Sequence, residues 1–539
     1  MRRVTRSVAA LGVAVLFAAS CTDAGPEGLR APPTAVPTPA PPTALPAEAS
    51  PACSLPPEHL LRIRRGYHPE RSGEIQIVPR LPAVVASWLS HAGPWDHVQR
   101  VPLFLYGPGH VPAVGRVDRP VTLADLAPTM ARILGSDFEA PDGRPLREAV
   151  AGSDPPRLIL TVIWDSAGRN VLDEHPEAWP TLRALIPQGT WFEEATVGTS
   201  PSTTPAVHAT IGTGVFPSRH GLVDLHFRWG GRMAHILDER PAFLSMPTLA
   251  DRYAANTGQA AKVGLIASLG TLGLIGHGAS IEGGGRHLVA MHHEGGWGIG
   301  EAYAEDFRFP AYLRDVGGFA ASLRRLDLED GAADGRWLGE PVLRPGEDRS
   351  ISPAWTEHQT RVLEEVVERE GFGRDAVPDL LFTNYKQIDS VGHRWGMHGP
   401  QMEAVVRSSD TALRTLIAIL DREVGEGEWV LALTADHGSI PDPAGAPIID
   451  LRELRRDLAE AFGDAVEQVR PTQVWVDERA LASRGATLED VAELLGGYRR
   501  SDNHELPPGE PDTRLFAAAF PSEVLLTASC VPSQRGAFG

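Results

Sequence analysis

Residues 158–165 read Leu-Ile-Leu-Thr-Val-Ile-Trp-Asp. The first seven are uncharged and largely apolar, and the eighth, Asp165, carries a carboxylate. A continuous run of this length is typical of a strand that is buried on both faces of a parallel sheet. Two similar runs, Leu380–Tyr385 and Trp429–Thr434, are followed within four residues by Asp389 and Asp436. Ligand groups collect beyond the carboxyl ends of strands in such sheets, so we expect these three aspartates to converge on one crevice.

Strand-like and helix-like patterns alternate over most of the chain. Apolar runs at Glu74–Val78 and Val101–Tyr106 predict further strands, and amphipathic stretches at Thr122–Leu134 and Met402–Leu420 predict helices. This alternation predicts an α/β fold with a mostly parallel sheet and helices on both faces, carrying cap or accessory insertions.

A chain of 539 residues suits one large domain with insertions, or two domains. The pattern loosens after residue 225 into glycine-rich and histidine-containing stretches, which indicate a cap over the site or ordinary surface loops. Near the C-terminus, Thr487 and Asp490 predict a capping box that opens a helix. We expect three parts: residues 57–150, a segment of the catalytic domain; 151–446, the catalytic core with a cap-like insertion at about 226–376; and 447–539, an accessory α/β lobe with the C-terminal segment.

The N-terminal residues have the features of an export signal. Three arginines among the first six residues precede the short apolar run Val8–Phe17, which predicts a signal peptide over residues 1–20. Ala18-Ala-Ser-Cys21 resembles a bacterial lipobox and implies a lipid on Cys21; the alternative is plain secretion after a cleavage that discards this cysteine. Residues 21–56, crowded with Pro, Ala and Thr, predict an extended tether. We therefore expect an exported protein, held at the outer face of the membrane by a lipid anchor or else secreted.

The formal net charge of −19 limits the partners that the surface can bind. The phosphate backbone of a nucleic acid would be repelled by such a surface, so no nucleic-acid-binding surface is expected. A small anionic substrate would need a local positive centre, and bound divalent metal is the simplest candidate.

Three short motifs carry groups that suit phosphoryl transfer. Ser200–His208 contains Thr203, Thr204 and Pro205, and the proline favours a helix start, where backbone N–H groups bind phosphate. Asp-Ser-Val-Gly-His at 389–393 and Asp-His-Gly at 436–438 supply oxygen and nitrogen ligands that zinc accepts. Each motif alone has an ordinary explanation, a helix cap or an Asx-turn, but their joint occurrence behind buried strands favours a site.

Together these motifs resemble the alkaline phosphatase superfamily and, within it, the type I phosphodiesterase/nucleotide pyrophosphatase family. The resemblance implies a metal-dependent phosphoric ester hydrolase in which Thr204 becomes a phosphothreonine. The family spacing from nucleophile to histidine, matched by His208, selects Thr204 over Thr203. The resemblance covers most of the chain and is sharpest in 158–223, 380–400 and 429–438.

The resemblance also implies two zinc ions, although manganese or iron can occupy mixed Asp/His sites. The ion that activates the nucleophile would be held by Asp165, Asp436, His437 and Thr204. The ion that activates the attacking water would be held by Asp389, His393 and His91. Two such cations stabilise both the entering and the leaving oxygen of an in-line displacement.

The position of His91 departs from the family pattern, in which the corresponding histidine follows the Asp-His-Gly block. The only histidine after His437 is His504, whose flanking residues do not match, so it is a minor candidate. Residues 91–129 instead resemble the C-terminal segment of the family. We interpret this order as a circular permutation, in which the piece that usually ends the catalytic domain begins it.

A second departure concerns the substrate. Phosphodiesterase relatives carry an asparagine shortly after the histidine and glycine that correspond to His220 and Gly221, and residues 222–228 contain none. The candidate replacements are His226, Arg228 and Lys386, each of a type that more often forms surface ion pairs. We expect a small phosphorylated substrate, a phosphodiester or a nucleotide with a pyrophosphate bond. The alternatives are an alkaline phosphatase-like phosphomonoesterase and a metal-binding surface protein without turnover.

Two cysteines remain once Cys21 is assigned to lipidation. An even pair in an exported protein predicts a disulfide between Cys53 and Cys530, and two independent thiols are the alternative. The proposed permutation would bring these two chain ends side by side.

Overall fold

The computed structural model describes residues 50–85, 89–152, 154–236, 243–268, 270–276, 287–293, 296–300, 303–441, 446–506 and 508–533. All of these residues belong to one compact unit. The predicted signal peptide, Cys21 and the predicted tether before residue 50 lie outside the described residues. No helix in the described part of the chain is long and apolar enough to span a membrane.

The strands of the described residues form two larger sheets and two short pairs. In chain order they are β1 (Ile75–Pro79), β2 (Val84–Val85), β3 (Leu103–Tyr106), β4 (Gly115–Thr122), β5 (Leu158–Trp164), β6 (Thr190–Thr196), β7 (His226–Trp229), β8 (Arg232–His235), β9 (Val263–Ala267), β10 (Leu288–His293), β11 (Gly296–Gly298), β12 (Asp379–Tyr385), β13 (Trp429–Thr434), β14 (Ile448–Ile449), β15 (Val466–Val469), β16 (Gln473–Val476) and β17 (Phe516–Pro521).

The α-helices surround these sheets. They are α1 (Pro57–Gly66), α2 (Asp96–Gln99), α3 (Leu126–Ile133), α4 (Arg169–Glu174), α5 (Pro180–Leu185), α6 (Thr204–Thr213), α7 (Pro217–His220), α8 (Leu249–Asn256), α9 (Phe319–Asp327), α10 (Pro353–Glu370), α11 (Gln387–Trp395), α12 (Pro400–Leu420), α13 (Leu451–Phe462), α14 (Glu478–Ser483), α15 (Leu488–Gly497), α16 (Arg500–Asn503) and α17 (Val524–Thr527).

The main sheet has nine strands in the order β11-β10-β9-β12-β5-β13-β3-β6-β4. The strands from β10 to β13 in this order are parallel, β4 is parallel to β6, and only β3 and β11 are antiparallel to their neighbours. Every residue of β5, β12 and β13 is buried, as expected for central strands that are covered on both faces. The predicted mostly parallel α/β fold is confirmed.

The segment before residue 151 contributes two strands to this sheet. β3 pairs with β13 and β6, and β4 forms the edge. The sequence pattern does not predict β4, because its side chains alternate between partly buried and exposed and the strand contains Pro120. Proline and charged side chains are typical of an edge strand, where the outer backbone groups face solvent.

The region expected to form a cap-like insertion is divided between two structures. β9, β10 and β11 extend the main sheet beyond β12, whereas β7 and β8 form a separate hairpin. The first of these strands, β9, is the run Val-Gly-Leu-Ile-Ala at 263–267, which is fully buried beside β12. It is short and lies among glycine-rich stretches, so the sequence pattern alone does not separate it from loop.

The smaller sheet joins the two ends of the described chain. Its order is β15-β16-β1-β17, and all its pairings are antiparallel. β1 and β17 lie side by side, and near them the predicted disulfide between Cys53 and Cys530 is present, with the Cα atoms 5.6 Å apart. The predicted capping box of Thr487 and Asp490 opens α15. We call this sheet and the helices packed on it, α13 to α15, the small lobe.

Candidate active site

The three predicted aspartates lie at the carboxyl edge of the main sheet. The strands β12, β5 and β13 end nearly level, because Tyr385 lies opposite Trp164 and Thr434 opposite Ile163. Asp165 directly follows β5, and its backbone N–H donates to the Tyr385 carbonyl at 3.0 Å. The three aspartates are almost completely buried, with exposed fractions of 0% for Asp165, 2% for Asp389 and 0% for Asp436.

The loops after β5 and β13 hold each other in place. Ser166 adopts a left-handed backbone with φ 66°, which is uncommon for a residue with a side chain. Its backbone N–H donates to Asp436 Oδ1 at 3.0 Å, and its hydroxyl lies 2.7 Å from that of Ser439. A Cβ atom on Gly438 would lie 2.2 Å from the carbonyl oxygen of His97, so this position has room only for glycine. The backbone of these two loops thus fixes the positions of Asp165 and Asp436.

Thr204 begins helix α6, which is buried along its whole length. Pro205 occupies the first turn, where a missing N–H costs nothing. The Thr204 hydroxyl oxygen lies 3.1 Å from Lys386 Nζ and 3.5 Å from His437 Nε2. The Thr203 hydroxyl is buried without a hydrogen-bond partner among the described residues. Of the two threonines, Thr204 is the one in contact with the predicted ligand groups.

The three histidines predicted as ligands share one orientation. In each, Nδ1 lies against a backbone carbonyl oxygen, and a carbonyl can only accept a hydrogen bond, so Nδ1 carries the proton. In neutral rings Nε2 then presents its lone pair to the aspartates, the arrangement usual for metal-bound histidine. The Nδ1 contacts are His91 to Ser202 at 2.9 Å, His393 to Leu89 at 3.3 Å and His437 to Gly438 at 3.2 Å.

The Nε2 atoms and the carboxylate oxygens form compact groups. His91 Nε2 lies 3.5 Å from Asp389 Oδ1, and His393 Nε2 lies 3.3 Å from Asp389 Oδ2. These three residues are one of three groups in the described chain whose donor atoms could surround a metal ion. The other two groups are Asp165, Asp389 and His437, and Asp165, His208 and Asp436.

Two buried polar residues of the centre, His208 and Asn384, are not among the predicted site residues. His208 is fully buried, and its Nε2 lies 3.3 Å from Asp436 Oδ2. Asn384 donates from Nδ2 to Asp165 Oδ2 at 2.9 Å. Asn384 can be recognised in the sequence as a polar residue in a largely apolar strand, because a buried amide needs a hydrogen-bond partner.

Lys386 lies between the aspartates. Its Nζ donates to both carboxylate oxygens of Asp165 at 3.0 Å and lies 2.8 Å from Asp389 Oδ2. The side chain is 29% exposed and lines the cavity in front of the centre. Of the three substrate-binding candidates, this one contacts the predicted nucleophile, Thr204.

Burial and mutual charge shift the pKa values of these groups. Burial, and next the nearby Asp436, raise the pKa of Asp165 to about 7, against the opposing effect of Lys386. Burial, and then His437, hold the pKa of His91 well below its usual value, which keeps this ring neutral. Burial opposes ionisation of Asp389 also, but His393 and Lys386 outweigh it, and the pKa falls well below the usual range.

The donor set fits divalent metal. Both carboxylate oxygens of Asp389, Oδ2 of Asp436 and both ring nitrogens of His208 are buried without a hydrogen bond of good geometry among the described residues. Three buried carboxylates face a single ammonium group, and uncompensated charge in such a place is costly. Imidazole nitrogens and carboxylate oxygens are the ligands that zinc and similar ions prefer.

A cavity of about 790 Å³ opens in front of this centre. Its walls include Thr204 and Lys386 from the centre, His226 and His235 from the hairpin β7–β8, and Arg470 from the small lobe. The volume lies in the range of about 300–1,000 Å³ that small-molecule sites occupy.

Two of the remaining candidates lie apart from the centre. Arg228 does not line this cavity; it pairs with Glu74 at 3.0 Å and Glu467 at 2.5 Å. His504 is exposed, and its Nε2 lies 2.6 Å from the Ile448 carbonyl oxygen. Neither belongs to the potential metal-binding groups of the described residues.

Parts of this chain are similar to known alkaline phosphatases. The alkaline phosphatase PafA of Elizabethkingia meningoseptica is 26% identical over 147 residues, 25% of this chain and 27% of PafA. The alkaline phosphatase PhoV of Synechococcus elongatus is 31% identical over 77 residues, 14% of either chain. The matched regions thus span about a quarter of these relatives or less. A crystal structure of wild-type PafA aligns with a TM-score of 0.49 and 18% identity, covering 63% of this chain and 76% of that chain.

Residues 159–515 match the family described as type I phosphodiesterase / nucleotide pyrophosphatase. The match begins inside β5 and stops just before β17, so it includes every predicted centre residue except His91. Because the match spans more than half of the sequence, the chain belongs to the type I phosphodiesterase / nucleotide pyrophosphatase family.

Proposed function

We propose that this chain hydrolyses phosphate ester bonds by transferring the phosphoryl group to Thr204 and then to water. The observation that carries this proposal is the position of the Thr204 hydroxyl, at the start of a buried helix and in contact with Lys386 and His437. A helix N-terminus offers unpaired N–H groups to a phosphate, and a threonine hydroxyl needs such surroundings to act as a nucleophile.

The centre would hold two divalent metals, with zinc as the first candidate. When bound, such ions would lower the pKa of the Thr204 hydroxyl and of the attacking water and would neutralise charge on the phosphoryl oxygens. One set of ligands would be His91, Asp389 and His393; the other would be Asp165, Asp436 and His437 with the Thr204 oxygen.

The chemistry consists of two displacements at phosphorus. In the first, Thr204 Oγ forms a bond to phosphorus, the bond to the ester oxygen breaks, and the departing alcohol takes up the proton that the threonine loses. In the second, a water oxygen attacks the phosphothreonine, the phosphorus–Oγ bond breaks, and Thr204 regains a proton as the phosphate product leaves. The cavity walls orient the substrate, and Ser166 and Asn384 keep Asp436 and Asp165 in position.

Phosphodiesters and nucleotide pyrophosphate bonds are the first candidate substrates, in line with the family. The cavity volume of about 790 Å³ accommodates a nucleotide-sized molecule. Lys386 and His226, which both line the cavity, are the substrate-binding candidates. The second candidate is a phosphomonoesterase, and the ammonium group beside Thr204 favours it.

The order of the chain is proposed to be a circular permutation. His91 lies outside the family match yet contacts Asp389, which lies within it. β1 and β17, from opposite ends of the described chain, pair with each other. Both facts support a segment 57–150 that belongs to the catalytic domain and has changed its place in the sequence.

We also propose export, with lipid attachment at Cys21. The disulfide supports this location, since such bonds form in oxidising compartments. Palmitate labelling in a bacterial host, compared between the full chain and Cys21→Ser, would check the anchor.

The experiment for the function is a substrate screen with and without chelator. We expect hydrolysis of bis(p-nitrophenyl) phosphate, p-nitrophenyl phosphate or a dinucleotide pyrophosphate, its loss on metal removal, and its return with zinc. Undiminished turnover in protein shown to be free of metal would refute the two-metal centre. Metal binding without turnover of any substrate would identify the non-catalytic surface protein instead.

A further inference from the structure

Lysine is almost absent from this chain. The sequence contains 50 lysines and arginines together, and only two of them, Lys262 and Lys386, are lysines. Lys262 lies at the opposite end of the sheet, before β9, where it pairs with Asp375 at 2.6 Å and Asp379 at 3.3 Å. The other lysine contacts the candidate nucleophile.

The place of Lys386 in the backbone is rigid. It follows the last residue of β12 and forms the N-cap of α11, the helix that carries Asp389. Its Nζ is within 3.1 Å of the Thr204 oxygen, the Asp165 carboxylate and Asp389 Oδ2. A compact ammonium group suits this three-sided position, whereas the broad planar fork of arginine is shaped for two parallel contacts.

The Lys386 side chain also lies in the wall of the cavity. Lys386 is 29% exposed and lines the cavity together with Thr204. A phosphoryl group attacked by Thr204 Oγ must lie against this oxygen, and the ammonium group is already in contact with it. The geometry therefore brings a positive charge that belongs to the protein itself to the oxygen that would attack phosphorus.

We propose that Lys386 is a catalytic residue that discriminates substrates by the charge of the phosphoryl group and raises activity on dianionic phosphate monoesters relative to monoanionic diesters. This inference rests on the proposed function and names its substrate class. An additional positive charge stabilises a dianion more than a monoanion, because the Coulomb energy scales with the product of the charges. A neutral amide, such as the asparagine that residues 222–228 lack, donates a hydrogen bond without this strong dependence on charge.

The competing role for Lys386 is purely structural. The ammonium group would then only neutralise Asp165 and Asp389 and would hold the centre together. Loss of a structural cation would slow both substrate classes equally or release metal, whereas loss of a charge-selecting cation changes their ratio.

The test compares kcat/KM for p-nitrophenyl phosphate and bis(p-nitrophenyl) phosphate in metal-loaded protein, with metal content measured. Lys386→Met keeps the length of the side chain and removes its charge. We expect it to lower the ratio of monoester to diester activity by about 10- to 100-fold, the value of a hydrogen bond to a charged group. Lys386→Arg keeps the charge and should retain part of the ratio.

Lys262→Met is the matched control, because it removes the only other lysine. The carboxylate of Asp379 keeps the backbone N–H donors of residues 262 and Gly373, so this variant should fold and keep both activities. An unchanged ratio in Lys386→Met with full metal content would overturn the proposal, while the proposed function would stand. Absence of hydrolysis in the wild type, or full hydrolysis by Thr204→Ala, would instead overturn the proposed function.

A second measurement does not depend on the variant folding. Biosynthetic incorporation of lysine labelled with ¹³C at Cε gives two side-chain signals from the wild-type chain. Lys262→Met identifies them, since the signal that remains belongs to Lys386. On addition of inorganic phosphate to the zinc-loaded protein we expect the Lys386 signal to shift and the Lys262 signal to stay. Saturating phosphate without a shift at Lys386 would refute the contact.

Discussion

The carboxyl edge of the main sheet and the small lobe treat buried polar groups differently. In the small lobe Gln76 Nε2 donates to Ser522 at 2.9 Å, and the Glu74 carboxylate accepts from Arg228 and the Val476 N–H. At the sheet edge three buried carboxylates, those of Asp165, Asp389 and Asp436, face the single ammonium group of Lys386. Excess buried negative charge of this kind is costly unless a cation compensates it. The edge therefore has the charge of a binding site, whereas the charged groups of the lobe are paired with each other and serve stability.

The largest effect on turnover is expected when the proposed nucleophile is removed from the sheet edge. Thr204→Ala should keep the metal ligands from the side chains of Asp and His and lower turnover by about 10⁴-fold or more, as for other activated nucleophiles. Because the change is confined to the edge, we expect little loss in the free energy of unfolding. Steady-state kinetics and urea unfolding of the same preparation measure both quantities.

Thr203→Ala is the control for this substitution. Thr203 is the N-cap of α6, but its side chain makes no capping hydrogen bond, so its loss should change stability little. Near wild-type activity in Thr204→Ala with an inactive Thr203→Ala would show that the family spacing identifies the wrong threonine.

An intermediate effect is expected for His91, which lies between the two regions in sequence. It follows β1 of the small lobe by twelve residues and yet contacts Asp389 at the sheet edge. His91→Ala should lower the bound metal by about one ion per chain and turnover by about 100-fold or more. Elemental analysis of purified protein measures the first quantity. Full metal content with normal turnover would remove His91 from the centre and, with it, the main support for the permutation.

How far the sequence predicts this structure depends on what determines each part. β5, β12 and β13 are apolar on both faces, so burial alone reveals them and places the aspartates after them. The antiparallel pairing of β3 with β13 has no such local signal, because partner choice depends on the whole sheet. For the same reason the contact of Lys386 with Thr204 is invisible in the sequence, since it requires α6 and the end of β12 to meet.

The smallest effect on turnover, and the clearest effect on stability, is expected from the disulfide. Cys53 and Cys530 are 477 residues apart in sequence and close the chain around both regions. In the chain-entropy model a loop of this size stabilises the folded state by up to about 6 kcal/mol, from which strain in the native state subtracts. The double variant Cys53→Ser, Cys530→Ser should therefore unfold at lower urea concentration while its kcat/KM stays at the wild-type value, because neither cysteine lines the active-site cavity. The pairing of β1 with β17 already holds these ends together in the native state. The loss of stability should therefore come from the greater freedom of the unfolded chain and not from a disturbed centre.

Wild-type protein measured with a thiol reductant serves as the control, since its unfolding midpoint should shift by the same amount. An unfolding curve that does not move would mean that the small lobe alone keeps the ends in place. A fall in turnover at unchanged stability would contradict the division of the molecule into a binding edge and a stabilising lobe.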